Sequence, residues 1–441
     1  MNDLRTGPAG RTAAATDTRT DRAGRTNGGG PAGTVRAVVT GIGVAAPNGL
    51  GTGAYWAATL AGRSGIAPTT RYDTAGYPLR LAGEVPGFDP GEHIPGRLLP
   101  QTDHHTRLSL FTADEALRDS GLDPAALPAY GMGVATASTM GGFEFGQREL
   151  QNLWSKGGRF VSAYQSFAWF YAVNTGQISI RHGLRGSSVT LVTDAAGGLD
   201  AVGDARRRIR RGTTAMLTGG VDGALCPLGL AGQLSAGTMA TGGHRADRAY
   251  LPFADGAPGQ VPGEGGAFLV LEDAESAVRR GARIYGEIAG YRATFDPGPD
   301  PAGPGSTGLV RAVRGALRDA GVCPADIGVV FADAAGVPEP DRAESRALAE
   351  VFGSAAVPVT APKSMTGRLF AGGAALDLAT ALLALRDGVI PYTANVTAPG
   401  PDHPIDLVTG EPRRADLRYA LVVARGRGGF NAAVVVRRAG V

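Results

Sequence analysis

Two stretches of this chain can be laid on one another: AAGGLDAVGDARRRIR at 195–210 and GGAALDLATALLALRD at 372–387. Leu199 falls on Leu376 and Asp200 on Asp377, and in each stretch small residues lead directly into a helix. Small residues before a helix are common, so the echo takes its weight from its setting. Strand and helix alternate from Val35 to about Glu272, a Gly/Pro stretch (FDPGPDPAGPGSTG, 295–308) interrupts them, and the same rhythm restarts. Alternation of this kind is the pattern of a mostly parallel, helix-covered sheet. Its repetition implies an α/β fold built from a duplicated unit.

Single elements are legible as well. Spacing predicts a helix over 104–120, with Leu108, Phe111, Ala116 and Leu117 at helical intervals and Gly121 closing it. In the second half, TGLVRAVRGALRDAG, RAESRALAEVFG and ALDLATALLALRDG read as helices, and IGVVFADAAG, RYALVVAR and FNAAVVVRR contain strands.

Composition narrows the function classes. A net charge of +3 over 441 residues leaves no electrostatic footprint for nucleic acid. No apolar run approaches the ~20 residues of a membrane span. The first 34 residues are rich in Arg, Thr, Gly and Ala, have no apolar h-region, and are expected to be a disordered tail. Cys226 and Cys323 lie in unrelated contexts without metal-ligand spacing and read as two buried, reduced thiols. Together these features imply a cytoplasmic protein without a metal.

The first of the echoing stretches also raises a chemical question. In SSVTLVTDAAGGLDAVGDARRRIRRG a β-branched run meets a tight turn that opens into a helix. Free N–H groups and the helix dipole stabilise negative charge at such a turn, which makes it a natural seat for a nucleophile. The turn here holds Asp194, Ala195, Ala196, Gly197 and Gly198, with neither Cys nor Ser.

VVTGIGVAAPNG at 38–49, that strand–turn–helix, GGVDGAL at 219–225, LPFADGAPGQVPGEGGAFLVLE at 251–272, PKSMTGRLFAGG at 362–373 and GRGGFN at 426–431 occur in an order that resembles the β-ketoacyl synthases. The resemblance implies a thiolase-like fold: duplicated halves, here 35–285 and 286–441, in a five-layer α-β-α-β-α arrangement that works as a dimer. It also implies a Cys that accepts an acyl chain as a thioester and two His that assist decarboxylation and stabilise the thioester oxygen. In this sequence the Cys position falls on Ala195, and the two His positions on Ala335 and Arg368. None of the six histidines lies in these motifs. The chain is therefore expected to have no catalytic residues of its own, with Arg368 paired to a carboxylate and Lys363 retained for the fold.

An emptied site inside kept motifs is similar to the chain length factors, the β subunits of type II polyketide ketosynthases; GGFEFGQRELQNLW at 141–154 and AYQSFAWFYAVNTGQ at 163–177 carry that likeness. The resemblance implies a catalytic ketosynthase α subunit as partner and an acyl carrier protein that presents chains on its phosphopantetheine, with no cofactor bound by this chain. It further implies a tunnel at the interface that sets poly-β-ketone length. Phe143, Gly146 and Leu150 share one helical face and are the expected tunnel wall, a roomy one, although the same face would also serve as dimer packing. Tyr164, Phe167 and Trp169 belong to an aromatic run that reads either as interface or as core. Arg206, Arg207, Arg208, Arg210 and Arg211 read as a solvated, dipole-compensating helix end, with carrier-protein docking as the other reading. A malonyl-carrier-protein decarboxylase that primes synthesis, or an unorthodox condensing enzyme, is the alternative function.

Overall fold

A computed structural model describes residues 35–296 and 307–440; the expected disordered tail lies outside them. The first half contributes strands β1 (Ala37–Ala46), β2 (Met132–Ala137), β3 (Ser188–Leu191), β4 (Ala215–Asp222) and β5 (Gly265–Asp273). Its main helices are α1 (His104–Ser120), α2 (Phe143–Lys156), α3 (Val173–His182) and α4 (Gly197–Ile209). The second half has β6 (Gly286–Phe295), β7 (Ile327–Phe331), β8 (Pro358–Thr360), β9 (Tyr419–Gly426) and β10 (Phe430–Arg438), with α5 (Thr307–Ala320), α6 (Pro338–Phe352) and α7 (Ala371–Asp387).

Strand order runs β1-β5-β4-β2-β3 in one half and β6-β10-β9-β7-β8 in the other, so each strand has a counterpart at the same place. Directions match too: in both halves the first two pairings along that order are antiparallel and the next two parallel. The two sheets meet edge to edge where β1 pairs antiparallel with β6, Val38 opposite Glu287 and Val39 opposite Gly286. One difference breaks the symmetry. A short parallel strand, Asp406–Leu407, covers the outer edge of β8, whereas β3 has a neighbour on one side only among the described residues.

Continuous apolar runs in these strands are divided by the pleat. Val434 and Val436 of β10 face a central core, and Ala433 and Val435 an outer one. In β5, Leu269 and Leu271 face the centre, and Phe268 and Val270 the other side. The central core is filled by α4 (Leu199, Val202, Ile209) and α7 (Leu376, Leu382, Leu385). The outer cores are closed by α1 and α3 over the first sheet and by α5 and α6 over the second. Five layers result: helices, sheet, helices, sheet, helices.

α4 and α7, the helices of the sequence echo, thus form the middle layer. They cross where a Cβ on Gly198 would meet the backbone of Ala371 at 2.5 Å and of Ala375 at 2.8 Å. Gly198 and Ala375 are partners in the echo, and residues beside a two-fold axis meet their own mates. α1 ends at Gly121 in a left-handed conformation, as its sequence leads one to expect.

The arginines at the end of α4 require a correction. Arg206 is buried, not solvated; it binds Asp319 on α5 (2.6 Å) and donates to the carbonyl of Ala289 on β6 (2.5 Å). Arg207 and Arg208 pair with Asp204 within the helix, and Arg210 lies 3.7 Å from Asp319. The cluster's first member joins the two halves.

Candidate functional site

After β3 the chain turns at Asp194, whose φ of +51° is uncommon for a residue with a side chain and costs of order 1–3 kcal/mol. The Asp194 carboxylate offsets that strain by accepting the Arg427 N–H at 2.8 Å, from the GRGG turn between β9 and β10. One 3-10 turn, Asp194–Ala196, then feeds α4. Behind it Asp200 accepts hydrogen bonds from Thr193 Oγ1 (2.5 Å) and Tyr291 Oη (2.8 Å).

Ala195, at the head of α4, lines a cavity of about 150 Å³. Ala335 and Arg368 line the same cavity. Three positions spread over 174 residues of sequence are thus brought together, although no Cys, His, Ser or Lys is among the lining residues.

The loop carrying Ala335 follows β7 and is fixed from several directions. Ala334 has φ +50°. Glu344 accepts the N–H groups of Asp333 (2.7 Å) and Ala334 (2.8 Å), and Asp341 accepts that of Gly336 (3.0 Å). Tyr250 Oη donates to the Ala334 carbonyl at 2.7 Å. Lys363 Nζ donates to the carbonyls of Ala332 (2.8 Å) and Asp333 (2.9 Å), and pairs with Asp377 at 2.6 Å.

Arg368 completes this clamp. Its Nη1 donates to the Asp333 carbonyl (2.5 Å) and to Oδ2 (3.2 Å), and its Nη2 to Oδ1 (3.2 Å). Burial alone would raise the Asp333 carboxyl, but the Arg368 and Lys363 cations outweigh it and hold it below the ordinary range. Burial pushes Asp341 and Glu344 up to about 7, and nearby carboxylates add to it. Of the two other cavity carboxylates, Asp296 accepts from Asn431 Nδ2 at 2.9 Å and Asp194 from the Arg427 N–H. At the three positions singled out in the sequence the cavity thus presents two methyl groups and a guanidinium bound to Asp333, and no thiol or imidazole is among its lining residues.

Sequence reading found Ala195, Ala335 and Arg368 but missed Asp333, Tyr250, Glu344 and Asp341. A signal for Asp333 was present, since a carboxylate immediately ahead of the emptied AAG in an otherwise apolar strand needs a buried partner.

The expected tunnel residues lie elsewhere. Phe143 and Leu150 are half-buried on α2, Gly146 is buried, and none lines the cavity. A Cβ on Gly146 would meet Trp169 Cβ at 3.5 Å, so this face packs partly against the aromatic run of its own chain. Core packing does not describe that run. Tyr164 and Trp169 are exposed, as are Leu153, Trp154, Phe160, Phe170 and Tyr171, while Phe167 is half-buried. Trp154 is 78% exposed, an unusual cost for a side chain of that size.

Comparison with known proteins places the chain. The model for the β-ketoacyl synthase N-terminal domain matches residues 35–277, and that for the C-terminal domain matches 285–397. The tetracenomycin polyketide synthase ketoacyl synthase beta subunit of Streptomyces glaucescens is 60% identical over 405 residues, 91% of this chain and 98% of that one. An actinorhodin polyketide putative beta-ketoacyl synthase 2 of Streptomyces coelicolor is 58% identical over 402 residues, with coverage of 91% and 98%. Among solved structures, the ishigamide ketosynthase/chain length factor superposes with a TM-score of 0.85 at 31% identity, covering 92% of this chain and all of that one. A type II PKS acyl-carrier protein in complex with its ketosynthase bound to the hexaketide gives 0.83 at 27% identity, with coverage of 92% and 100%. An intact ketosynthase scaffold around an emptied cavity fits these relatives, and the chain belongs to the β-ketoacyl synthase family, among the chain length factors, the ketosynthase β subunits of type II polyketide synthases.

Proposed function

We propose that this chain is the non-condensing subunit of a heterodimeric type II polyketide ketosynthase, and that it forms one wall of the interface tunnel in which a poly-β-ketone grows. The observation that carries this reading is the convergence of Ala195, Ala335 and Arg368 on one cavity whose lining holds no Cys and no His. A priming decarboxylase is disfavoured because the one cation among the three, Arg368, is committed to Asp333.

Two surface features support pairing with a catalytic α subunit. The β3 edge leaves backbone N–H and C=O groups unpaired along one side, which invites another strand. The aromatic segment supplies rigid apolar contact area of the kind that dominates interfaces. Phe143, Gly146 and Leu150 sit beside that segment, where a partner's docking would enclose them. The growing chain would arrive on the phosphopantetheine of an acyl carrier protein, a partner that one solved relative is described as holding. No helix of the described residues is long and apolar enough to cross a membrane; with two free thiols, Cys226 buried as expected but Cys323 exposed, the reading places the protein in the cytoplasm.

Reconstitution with the Cys-bearing partner and malonyl-loaded carrier protein tests the reading. Products of one main length that disappear when either subunit is omitted are expected, and Gly146→Phe should shorten them. Unchanged length in Gly146→Phe would remove α2 from the tunnel wall, and condensation by this chain alone would overturn the whole assignment.

A further inference from the structure

Asp103 serves as the N-cap of two helices that are far apart in sequence. Helix α2 begins after Gly142, which has no side chain to satisfy the free amides of the first turn. That residue must be glycine, because a Cβ there would lie 2.1 Å from the Ala168 carbonyl oxygen of the aromatic segment. The missing cap comes from elsewhere: Asp103 Oδ2 accepts the Phe145 N–H at 2.7 Å. Its other oxygen, Oδ1, accepts the His105 N–H at 3.0 Å and so caps α1. The same Oδ1 lies 2.9 Å from His105 Nδ1.

This carboxylate is built to stay charged. It is 4% exposed, and although burial works against the anion, the His105 ring and the two helix amides outweigh it and pull its pKa down to about 2. The surrounding ties act on the same segment. Arg71 binds Glu144 in the first turn of α2 and reaches Glu264 at 3.5 Å. Buried Asp222 holds the preceding loop through the Thr139 N–H at 2.5 Å. Farther along α2, Glu149 accepts the Ser162 N–H at 2.7 Å, joining the helix to the start of the aromatic segment.

We propose that Asp103 is a specificity-determining positioning residue: by capping α1 and α2 with one carboxylate it fixes the axial position and rotation of α2, and thereby which of Phe143, Gly146 and Leu150 faces the growing chain. The proposal rests on the tunnel reading above. Asp103 touches no substrate and acts only through α2. An ordinary structural residue would, when lost, lower the yield of every product in proportion; a residue that sets the register of the wall changes the ratio between products.

The test uses the reconstituted pair with malonyl-loaded carrier protein, comparing wild type, Asp103→Asn and Gly146→Phe. Asparagine keeps one acceptor oxygen but turns an NH2 group toward the second amide, so one cap is lost while the volume is kept. Asp103→Asn is expected to form the pair, to speed Phe145 amide hydrogen exchange by at least tenfold, and to change the ratio of the main product to its neighbours in length by at least threefold. A shifted length in Gly146→Phe with an unchanged ratio in Asp103→Asn overturns the proposal and leaves the tunnel reading standing. Unchanged products in both variants defeat the tunnel reading and the proposal with it. If Asp103→Asn does not pair, the wild-type pair still decides: Phe143 and Gly146 donate to the Gly141 and Gly142 carbonyls, so the Phe145 amide must be protected well beyond that of Glu144, and exchange as fast as Glu144 overturns the cap.

Discussion

Arg368 shows how a cavity wall can hold a buried cation without leaving it unpaired. At the position that the sequence resemblance pairs with a histidine, this chain has a larger cation and binds it to Asp333, whose backbone carbonyl accepts from both that guanidinium and Lys363. Removing one member of a buried pair strands the other, at about 3–5 kcal/mol, whereas removing both costs far less. Arg368→Met should therefore destabilise the chain by about that amount, and Arg368→Met with Asp333→Asn should recover most of it, as read from denaturant midpoints. Equal losses in the single and double variants would mean that the pair is not coupled. The neighbouring carboxyls set a pH dependence. Asp341 and Glu344, raised from 3.8 and 4.5 to about 7, bind protons more tightly folded than unfolded. Their stabilisation is complete below the ordinary values and is lost as pH rises through 7. Asp200, Asp222 and Asp377, also raised by burial, act in the same direction. Asp333, held low, has the opposite sign and loses its contribution only in acid. Melting temperature should fall between pH 5 and 7.5, less steeply in Asp341→Asn, which a differential scanning series checks; a rise over that window would contradict the assignment. At this scale the sequence singled out three positions that the structure brings to one cavity, because each interrupts a recognisable motif. It could not expose how Arg368 is paired, because Arg368 and Asp333 are 35 residues apart and meet only once two different segments fold together.

At the scale of the element, α2 and the aromatic segment behave as one piece. Gly142 and Gly146 look equivalent in GGFEFGQREL, yet the structure separates them. A Cβ on Gly142 would strike a backbone carbonyl, while one on Gly146 would make ordinary contact with Trp169. Gly142→Ala is expected to lower the melting temperature sharply and to weaken subunit pairing. Gly146→Ala should be neutral or stabilising by up to about 1 kcal/mol, since alanine costs less chain entropy in a helix. Thermal melts of the two variants check this, and similar effects in both would refute the distinction. Helical spacing correctly grouped Phe143, Gly146 and Leu150 on a helix but could not say what that face meets, because period reports a face and not its neighbour. The α4 arginines failed for a related reason. Charge at a helix end is usually solvated, but Arg206 points into the seam between halves, a place that exists only in the duplicated fold.

The whole molecule is a symmetric scaffold used asymmetrically. Its two halves share strand order and direction, and the echo of α4 in α7 anticipated that relation because both helices occupy the same central slot. The edges were not legible in the sequence: a two-residue strand covers β8, nothing comparable covers β3 among the described residues, and elements so short carry no periodic signal. The open edge and the exposed aromatics are the surface on which the proposed pairing would rest. Trp154→Glu with Trp169→Glu should leave the melting temperature of the isolated chain within a degree or two, as expected for exposed positions, and weaken pairing with the catalytic subunit by roughly a hundredfold, as expected for loss of aromatic anchors. Sedimentation or mass photometry would read the result, and undiminished pairing would move the interface elsewhere. The most direct measurement follows the acyl group itself. Carrier protein charged with a mass-tagged acyl chain is mixed with the assembled pair, and each subunit is weighed intact. The tag should appear on the partner alone, in an amount unaffected by Ala195→Ser here; a tag on this chain, or extension of the acyl chain by it without the partner, would show that its cavity still performs chemistry.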